Sequence, residues 1–320
     1  MNISPQADDD QLRFAQQLGV DCVYTWVKPE QRTVEFLLAL RRRVESYGLR
    51  LYNVGNVNVG KSAQIHLALP GRDQVIAQFQ DFVRVLGRAG IGVTTFTWEP
   101  TQVWSSEPGE TRGAKTRRVD LDEMRRRPFT HGRAYSTEEI WDNFTYFIRK
   151  MTPVCEAAGV RLALHPNDPP SPYPLGGIPC LIHSFEDYQR AFEIAGSPAL
   201  GMEFCCGCWL EGGQEFGDLL GAIRTFVADD RILLVHFRNV SDTLPNFVET
   251  FVDNGYFDMY QIIKLFYEVG YRNTITLDHT PKFAGKYAAG GGTAYAIGYI
   301  RALMQRAQAE RAQTHPAAAL

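Results

Sequence analysis

Short runs rich in β-branched residues alternate with longer amphipathic runs along the chain, and this alternation predicts parallel strands joined by crossover helices. We expect eight strands, of which the first is weak, and eight helices. The predicted strands are 2–4, 21–25, 50–54, 92–97, 161–165, 199–205, 232–237 and 274–278. The predicted helices are 9–18, 33–47, 73–89, 137–158, 185–195, 214–227, 259–269 and 294–312.

The eight strand-and-helix units divide the 320 residues into pieces of about 40, enough to close one barrel without a second domain. We therefore predict an α/β fold with a single (β/α)8 TIM barrel over residues 1–312 and a frayed tail over 313–320. A doubly wound open sheet is the alternative. The segment 103–133 lacks periodicity and mixes basic with acidic residues, so it is either an active-site lid or a solvated surface loop.

Composition narrows the class of protein. With 45% hydrophobic and 22% charged residues, the chain can bury a large core. The net charge of −3 gives no general attraction for nucleic acid, and we expect no nucleic-acid or membrane partner. Acidic residues at Asp8, Asp9 and Asp10 precede any sustained apolar run, so we expect no secretory signal. Six cysteines are too few for a disulfide scaffold, which favours a cytoplasmic protein.

One phosphate-loop pattern occurs, GNVNVGKS at 55–62. A phosphate loop needs a helix that begins near the lysine, whereas the residues after Ser62 look extended or looped. Nucleotide binding is therefore the less favoured interpretation of this segment.

Four consecutive strands end in residue types that bind metals: His165, Cys205, His236 and Asp278. Parallel strands of a barrel bring their carboxyl ends together at one mouth, where active sites form. Two imidazoles, a thiolate and a carboxylate suit a borderline-soft divalent cation such as manganese, iron, zinc or cobalt. The alternative for each histidine taken alone is a hydrogen-bonded core residue.

The cysteines around the sixth strand admit a second interpretation, a small thiolate cluster, although a fourth thiolate is missing nearby. Alternate residues of a strand face opposite sides, so we predict Cys205 as a ligand and Cys206 as core facing the helices, with Cys208 undecided. The three glycines at 290–292 are either an anion site or a hinge. Four further histidines are expected to be surface or structural residues: His66, His131, His183 and His315.

The chain resembles the mannonate dehydratase family, whose barrel is xylose-isomerase-like. The segment STEEIWDNFTYFIRKMTPVCEAAGVRLALHPNDPP at 136–170 is similar to a family segment ending in H-P-D-D-P-P, with Asn167 in place of one acid. Other matches are the stretches GGIP at 176–179, FCCG at 204–207, HFRNV at 236–240 and DH at 278–279. The resemblance implies the ligand set His165, Cys205, His236 and Asp278, bound Mn²⁺ or Fe²⁺, and conversion of D-mannonate to 2-keto-3-deoxygluconate.

The resemblance also prompts a hypothesis for the catalytic groups. We expect His279 to act as an acid or base, with Tyr287 or a metal-bound water as the second group. Arg238, or an arginine of the 103–133 segment, would bind the substrate carboxylate. The stretch after Asp278 departs from the family pattern, so Tyr287 is shifted. Alternatively, His279 only orients Asp278.

Two other functions are possible on such a barrel: a metal-dependent sugar isomerase or epimerase, and a non-catalytic sugar-acid binding protein. In each case the partner is a small sugar acid or sugar. Barrels of this kind often pair, so we expect a homo-oligomer.

Overall fold

The computed structural model describes residues 1–288 and 290–314. Its strands are β1 (Cys22–Trp26), β2 (Arg50–Gly55), β3 (Val93–Thr97), β4 (Gly109–Thr111), β5 (Ala114–Thr116), β6 (Arg118–Asp120), β7 (Arg161–His165), β8 (Leu200–Cys205), β9 (Ile232–Phe237), β10 (Asn246–Val248) and β11 (Thr274–Leu277).

Twelve α-helices are found in the described residues, and several are single turns. They are α1 (Asp9–Gln17), α2 (Val34–Glu45), α3 (Val57–Gly60), α4 (Ala63–His66), α5 (Arg72–Arg88), α6 (Leu121–Arg125), α7 (Thr137–Ala158), α8 (Phe185–Ala195), α9 (Cys206–Gly212), α10 (Leu219–Ala228), α11 (Met259–Glu268) and α12 (Gly291–Thr314). Short 3₁₀ turns occupy Pro29–Gln31, Gly213–Glu215 and Gly285–Tyr287.

Seven parallel strands of the described chain form one sheet, in the order β1, β2, β3, β7, β8, β9, β11. The eighth position is held by the first residues of the chain. Asn2 forms a single parallel bridge with Tyr24, and the Ile3 amide donates to the Tyr24 carbonyl. The sheet is therefore a nearly closed barrel, which confirms the predicted (β/α)8 fold and rejects the open sheet. The weak strand predicted at 2–4 is reduced to that bridge.

Local sequence signals explain most element boundaries. The Ser136 hydroxyl accepts from the Glu139 amide and the Glu139 carboxylate accepts from the Ser136 amide, so α7 begins with a capping box. It ends at Gly159, whose φ of 64° is accessible to glycine at low cost. Every residue of β3 and β8 is buried, as expected for strands covered on both faces.

The largest differences from the predicted helix boundaries occur in α10 and α12. Helix α10 begins at Leu219 rather than 214, because a 3₁₀ turn and Gly217, with φ of 120°, precede it. Helix α12 begins at Gly291 rather than 294 and continues to Thr314, so it includes residues 313 and 314 of the predicted tail. Residues 315–320, including His315, lie outside the described part of the chain.

The segment 103–133 has secondary structure of its own. Strands β4 and β5 form a hairpin, and β6 pairs with β10 in an antiparallel ladder. Val119 and Met124 are buried. The segment is thus packed onto the barrel rather than extended into solvent.

No helix within the described residues is both long enough and apolar enough to cross a bilayer.

Candidate active site

The ends of β7, β8, β9 and β11 bring four metal-binding side chains together. One ligand atom each of Cys205, His236 and Asp278 lies within 4.8 Å of the other two. The Asp278 carboxylate is 3.7 Å from the Cys205 sulfur and 3.3 Å from His236 Nδ1. The ring of His165 is centred 5.3 Å from that of His236, and His165 offers a nitrogen within 4.8 Å of the Cys205 sulfur. These are the four strand ends singled out in the sequence.

Neighbouring groups orient both imidazoles toward this cluster. Nδ1 of His165 donates to the Pro166 carbonyl at 2.7 Å, which leaves Nε2 with its lone pair. Nε2 of His236 lies 2.6 Å from a carboxylate oxygen of Glu203. That carboxylate favours the proton on Nε2, and His236 Nδ1 is buried without a hydrogen-bond partner. An unpartnered imidazole nitrogen facing a thiol and a carboxylate fits a bound cation.

The electrostatic surroundings keep the two anionic candidates ionised. Burial raises the pKa of Cys205, but hydrogen bonding to Cys208, the Arg238 guanidinium and His165 together hold it well below its usual value. Burial likewise opposes ionisation of Asp278, yet His279, His236 and Arg238 lower the pKa of that carboxyl. Thiolate and carboxylate are the forms that bind metals.

Helix α9 begins immediately after β8, and the three cysteines at this junction have different surroundings. Cys205 is the N-cap, and its sulfur accepts from the Cys208 amide at 3.5 Å. Cys206 packs in the hydrophobic core. The Cys208 thiol lies within 4.8 Å of ligand atoms of Cys205 and His165, at the back of the cluster.

Arg238 lies behind the cluster and has no exposed surface. Its guanidinium is 2.8 Å from Asp278, 2.5 Å from Glu211 and 3.2 Å from Asp168. A Cβ on Gly207 would approach it to 2.4 Å, so glycine is required there for space. Because Arg238 is enclosed by protein carboxylates, its position supports a role in holding Asp278 rather than in binding the substrate carboxylate.

A second arginine enters the same buried layer from the 103–133 segment. Arg117, between β5 and β6, is 2.8 Å from Asp168 and 3.1 Å from Glu249. It also donates to the Trp104 carbonyl. In the sequence Arg117 is one of several basic residues of that segment, and its pairing partners lie far away along the chain.

His279 and Tyr287 occupy different places. His279 lines the cavity, its side chain is 46% exposed, and its Nδ1 is 2.8 Å from Glu249. The Asp278 charge raises the pKa of His279 to about 9 against an opposing effect of partial desolvation, with help from Glu249. Tyr287 is 65% exposed in the 3₁₀ turn after β11 and is not among the described cavity residues. The structure therefore does not bring Tyr287 to the candidate site.

The cluster opens into a cavity of about 730 Å³ at the carboxyl ends of the strands. This volume accommodates a small sugar acid. Glu203, Glu99 and Lys61 also line the cavity, and none of them was identified from the sequence. Glu203 could have been found, because it stands two positions before Cys205 on the same face of β8.

The remaining sequence candidates lie elsewhere. His66 is buried against Trp98, with ring centroids 4.4 Å apart, and His183 is 2.9 Å from Asp187 on α8. The pattern at 55–62 does not form a phosphate loop, since α3 begins at Val57 and ends before the lysine.

A family model of D-mannonate dehydratase (UxuA) matches residues 8–116 and 111–314. The chain belongs to the D-mannonate dehydratase family. A mannonate dehydratase of Thermotoga petrophila is 29% identical, and the match covers 84% of this chain and 86% of that protein. The family resemblance inferred from the sequence motifs is thereby confirmed.

Solved structures agree on the fold of this family member. A mannonate dehydratase from Streptococcus suis serotype 2 superimposes with a TM-score of 0.81 at 23% identity, covering 97% of this chain and 94% of that one. A xylose isomerase domain protein from Planctomyces limnophilus gives a TM-score of 0.65 at 14% identity, covering 96% of each. At these identities the likeness concerns the fold alone, and it confirms the predicted xylose-isomerase-like barrel.

Proposed function

We propose that this chain is a metal-dependent dehydratase that converts D-mannonate to 2-keto-3-deoxygluconate and water. The observation that carries the proposal is the convergence of His165, Cys205, His236 and Asp278 at the mouth of a barrel of this family. These four side chains would hold the cation, and Mn²⁺ or Fe²⁺ is the expected occupant. Glu203 would fix the ring of His236.

The reaction removes the proton at C2 and expels the hydroxyl at C3. A divalent cation held by these residues would supply Lewis-acid stabilisation of the negative charge that develops on the substrate carboxylate as the C2 proton leaves. Within the chain, His279 would move a proton as the acid or base; its position on the cavity wall and the contact of its Nδ1 with Glu249 support this role. Arg238 positions Asp278 through their 2.8 Å contact.

The experiment is to incubate the Mn²⁺-loaded protein with D-mannonate and follow the carbon skeleton by NMR. We expect 2-keto-3-deoxygluconate to form, and no product after the cation is removed by chelation. Parallel incubations with other hexonates and with free ketoses test the alternative. Conversion of a ketose to its isomer or epimer, with mannonate unchanged, would identify an isomerase. Metal-dependent binding without any product would identify a binding protein.

Some expectations about this enzyme remain predictions: the choice between manganese and iron, a cytoplasmic location and a homo-oligomeric state.

A further inference from the structure

The proposed substrate is an anion, and its carboxylate needs a partner besides the cation. Arg238 was the sequence-based candidate, but its guanidinium is enclosed by Asp278, Glu211 and Asp168. Arg117 is likewise engaged by protein carboxylates. Both cations are already neutralised within the protein, so binding a substrate carboxylate there would require breaking buried ion pairs.

Lys61 is the single Lys or Arg side chain among the described residues that line the cavity. Within the described parts of the chain, its ammonium has no hydrogen-bond or ion-pair partner. It is half-buried. An ammonium that is not held in an ion pair can form a charge-assisted hydrogen bond with a ligand carboxylate.

The wall around Lys61 leads toward the metal-binding cluster. Glu99 is close enough to both Lys61 and His165 to be affected by their charges. Glu99 is fixed, since one of its oxygens accepts from the Asp168 amide at 2.7 Å and the other from the Thr97 hydroxyl at 3.1 Å. Lys61, Glu99 and His165 all line the cavity, and Glu99 lies near each of the other two.

The backbone around Lys61 is built for close packing. Gly55 ends β2 against the ring of Trp26, where a Cβ would approach to 2.4 Å, and Gly60 packs against the Thr95 carbonyl of β3. The Lys61 amide donates to the Val57 carbonyl, which closes the single turn of α3. The glycines that mimic a phosphate loop in the sequence therefore let the end of β2 pack against Trp26 of β1 and let α3 pack against β3. Lys61 follows α3 and lines the cavity.

From these observations we propose that Lys61 binds the carboxylate of the sugar-acid substrate and thereby makes the site selective for an anion. The proposal rests on the proposed dehydratase function and adds the residue that recognises the acid group. Lys61 is assigned to substrate binding, and proton transfer is assigned to other groups.

The test compares an acid with its neutral amide. Binding of D-mannonate and of D-mannonamide to the Mn²⁺-loaded protein is measured by calorimetry for the wild type, Lys61→Gln and Lys61→Arg, together with steady-state kinetics on mannonate. We expect Lys61→Gln to weaken mannonate binding by about 10-fold to 100-fold, the usual loss for a charge-assisted hydrogen bond. The affinity of Lys61→Gln for the amide should be unchanged. Lys61→Arg should keep most of the wild-type affinity for mannonate.

Lys28→Gln is the matched control, because Lys28 is exposed and lies outside the described cavity wall. Metal content and melting temperature of each variant exclude a folding defect. If Lys61→Gln binds mannonate as the wild type does, or loses affinity for acid and amide equally, the proposal is wrong. A wild type that binds mannonate without converting it would instead refute the dehydratase function and leave the carboxylate assignment standing.

Discussion

At the scale of single residues, the site depends on which way each side chain of β8 points. Glu203 and Cys205 share one face of the strand, where Glu203 contacts His236 and Cys205 contacts Asp278. Cys206, one residue later, packs in the hydrophobic core. Burial raises the pKa of Cys206 well above its usual value, whereas that of Cys205 is lowered. Two adjacent cysteines therefore have opposite chemical characters.

Replacing each cysteine in turn by alanine should distinguish the proposed metal ligand, Cys205, from the core residue, Cys206. We expect Cys205→Ala to bind Co²⁺ or Mn²⁺ at least about tenfold more weakly, since even the groups that orient a ligand commonly contribute that much. It should also lose the thiolate-to-cobalt charge-transfer absorption. Cys206→Ala is the matched control and should keep both, with only a loss of stability from its smaller side chain. Equal metal affinity in the two variants would remove Cys205 from the proposed ligand set.

The sequence predicted strand-end residues better than the residues that support them. His165, Cys205, His236 and Asp278 follow from element order alone, because parallel strands in a barrel all end at one mouth. Asp168 and Arg117 gave no comparable signal, and Lys61 appeared only within the less favoured phosphate-loop pattern. Each stands in a connection whose path depends on packing against distant parts of the chain, as Arg117 does against Glu249. Side-chain periodicity carries no information about such contacts.

At the scale of elements, the segment 103–133 is tied to the barrel by pairing that is remote in sequence. Strand β6 pairs with β10, and Arg117 next to it is 10% exposed between Asp168 and Glu249. The sequence offered a lid or a solvated loop, because a three-residue strand has no recognisable period and its partner lies more than a hundred residues away. The regular helices, by contrast, were predicted closely, and α8 is observed over the expected residues.

Removing the Arg117 guanidinium should destabilise this arrangement. We expect Arg117→Met to lower the free energy of unfolding by about 3 kcal/mol, since it leaves Asp168 and Glu249 buried with fewer positive partners. Urea denaturation of both proteins measures the effect. Arg126→Met is the control, because Arg126 is exposed in the same segment, and a change within about 0.5 kcal/mol is expected. If the two variants are equally stable, the buried ion pairs do not anchor the segment.

At the scale of the whole molecule, an aromatic layer fixes the wall of the barrel beside the cavity. Trp98, just after β3, contacts Phe144 and Phe147 of α7 at centroid distances of 5.3 and 5.6 Å. The ring of His66, at the end of α4, belongs to the same layer and is centred 4.4 Å from that of Trp98. The peptide carbonyl of His66 accepts from the Asn143 side chain of α7. A titratable ring therefore lies within the apolar packing that joins α4, β3 and α7.

This placement makes global stability dependent on pH. Burial, with a smaller effect of the Lys61 ammonium, lowers the pKa of His66 from 6.5 to about 3. Between pH 6.5 and pH 3 the unfolded chain binds a proton at His66 that the folded chain does not. The stability that the folded chain has with a neutral His66 is therefore complete above about pH 6.5 and is lost as the pH falls toward 3. Between pH 7.5 and pH 5 the loss should be about 2 kcal/mol.

Urea unfolding of the wild type and His66→Phe across that pH range measures this contribution. The variant cannot take up the proton, so its stability relative to the wild type should rise by about 2 kcal/mol as the pH is lowered. Trp98→Phe removes packing from the same layer but no titratable group, and it should shift stability by the same amount at every pH. If the wild type and His66→Phe follow parallel curves, then His66 takes up a proton in the folded barrel as readily as in the unfolded chain, and the aromatic layer does not exclude charge.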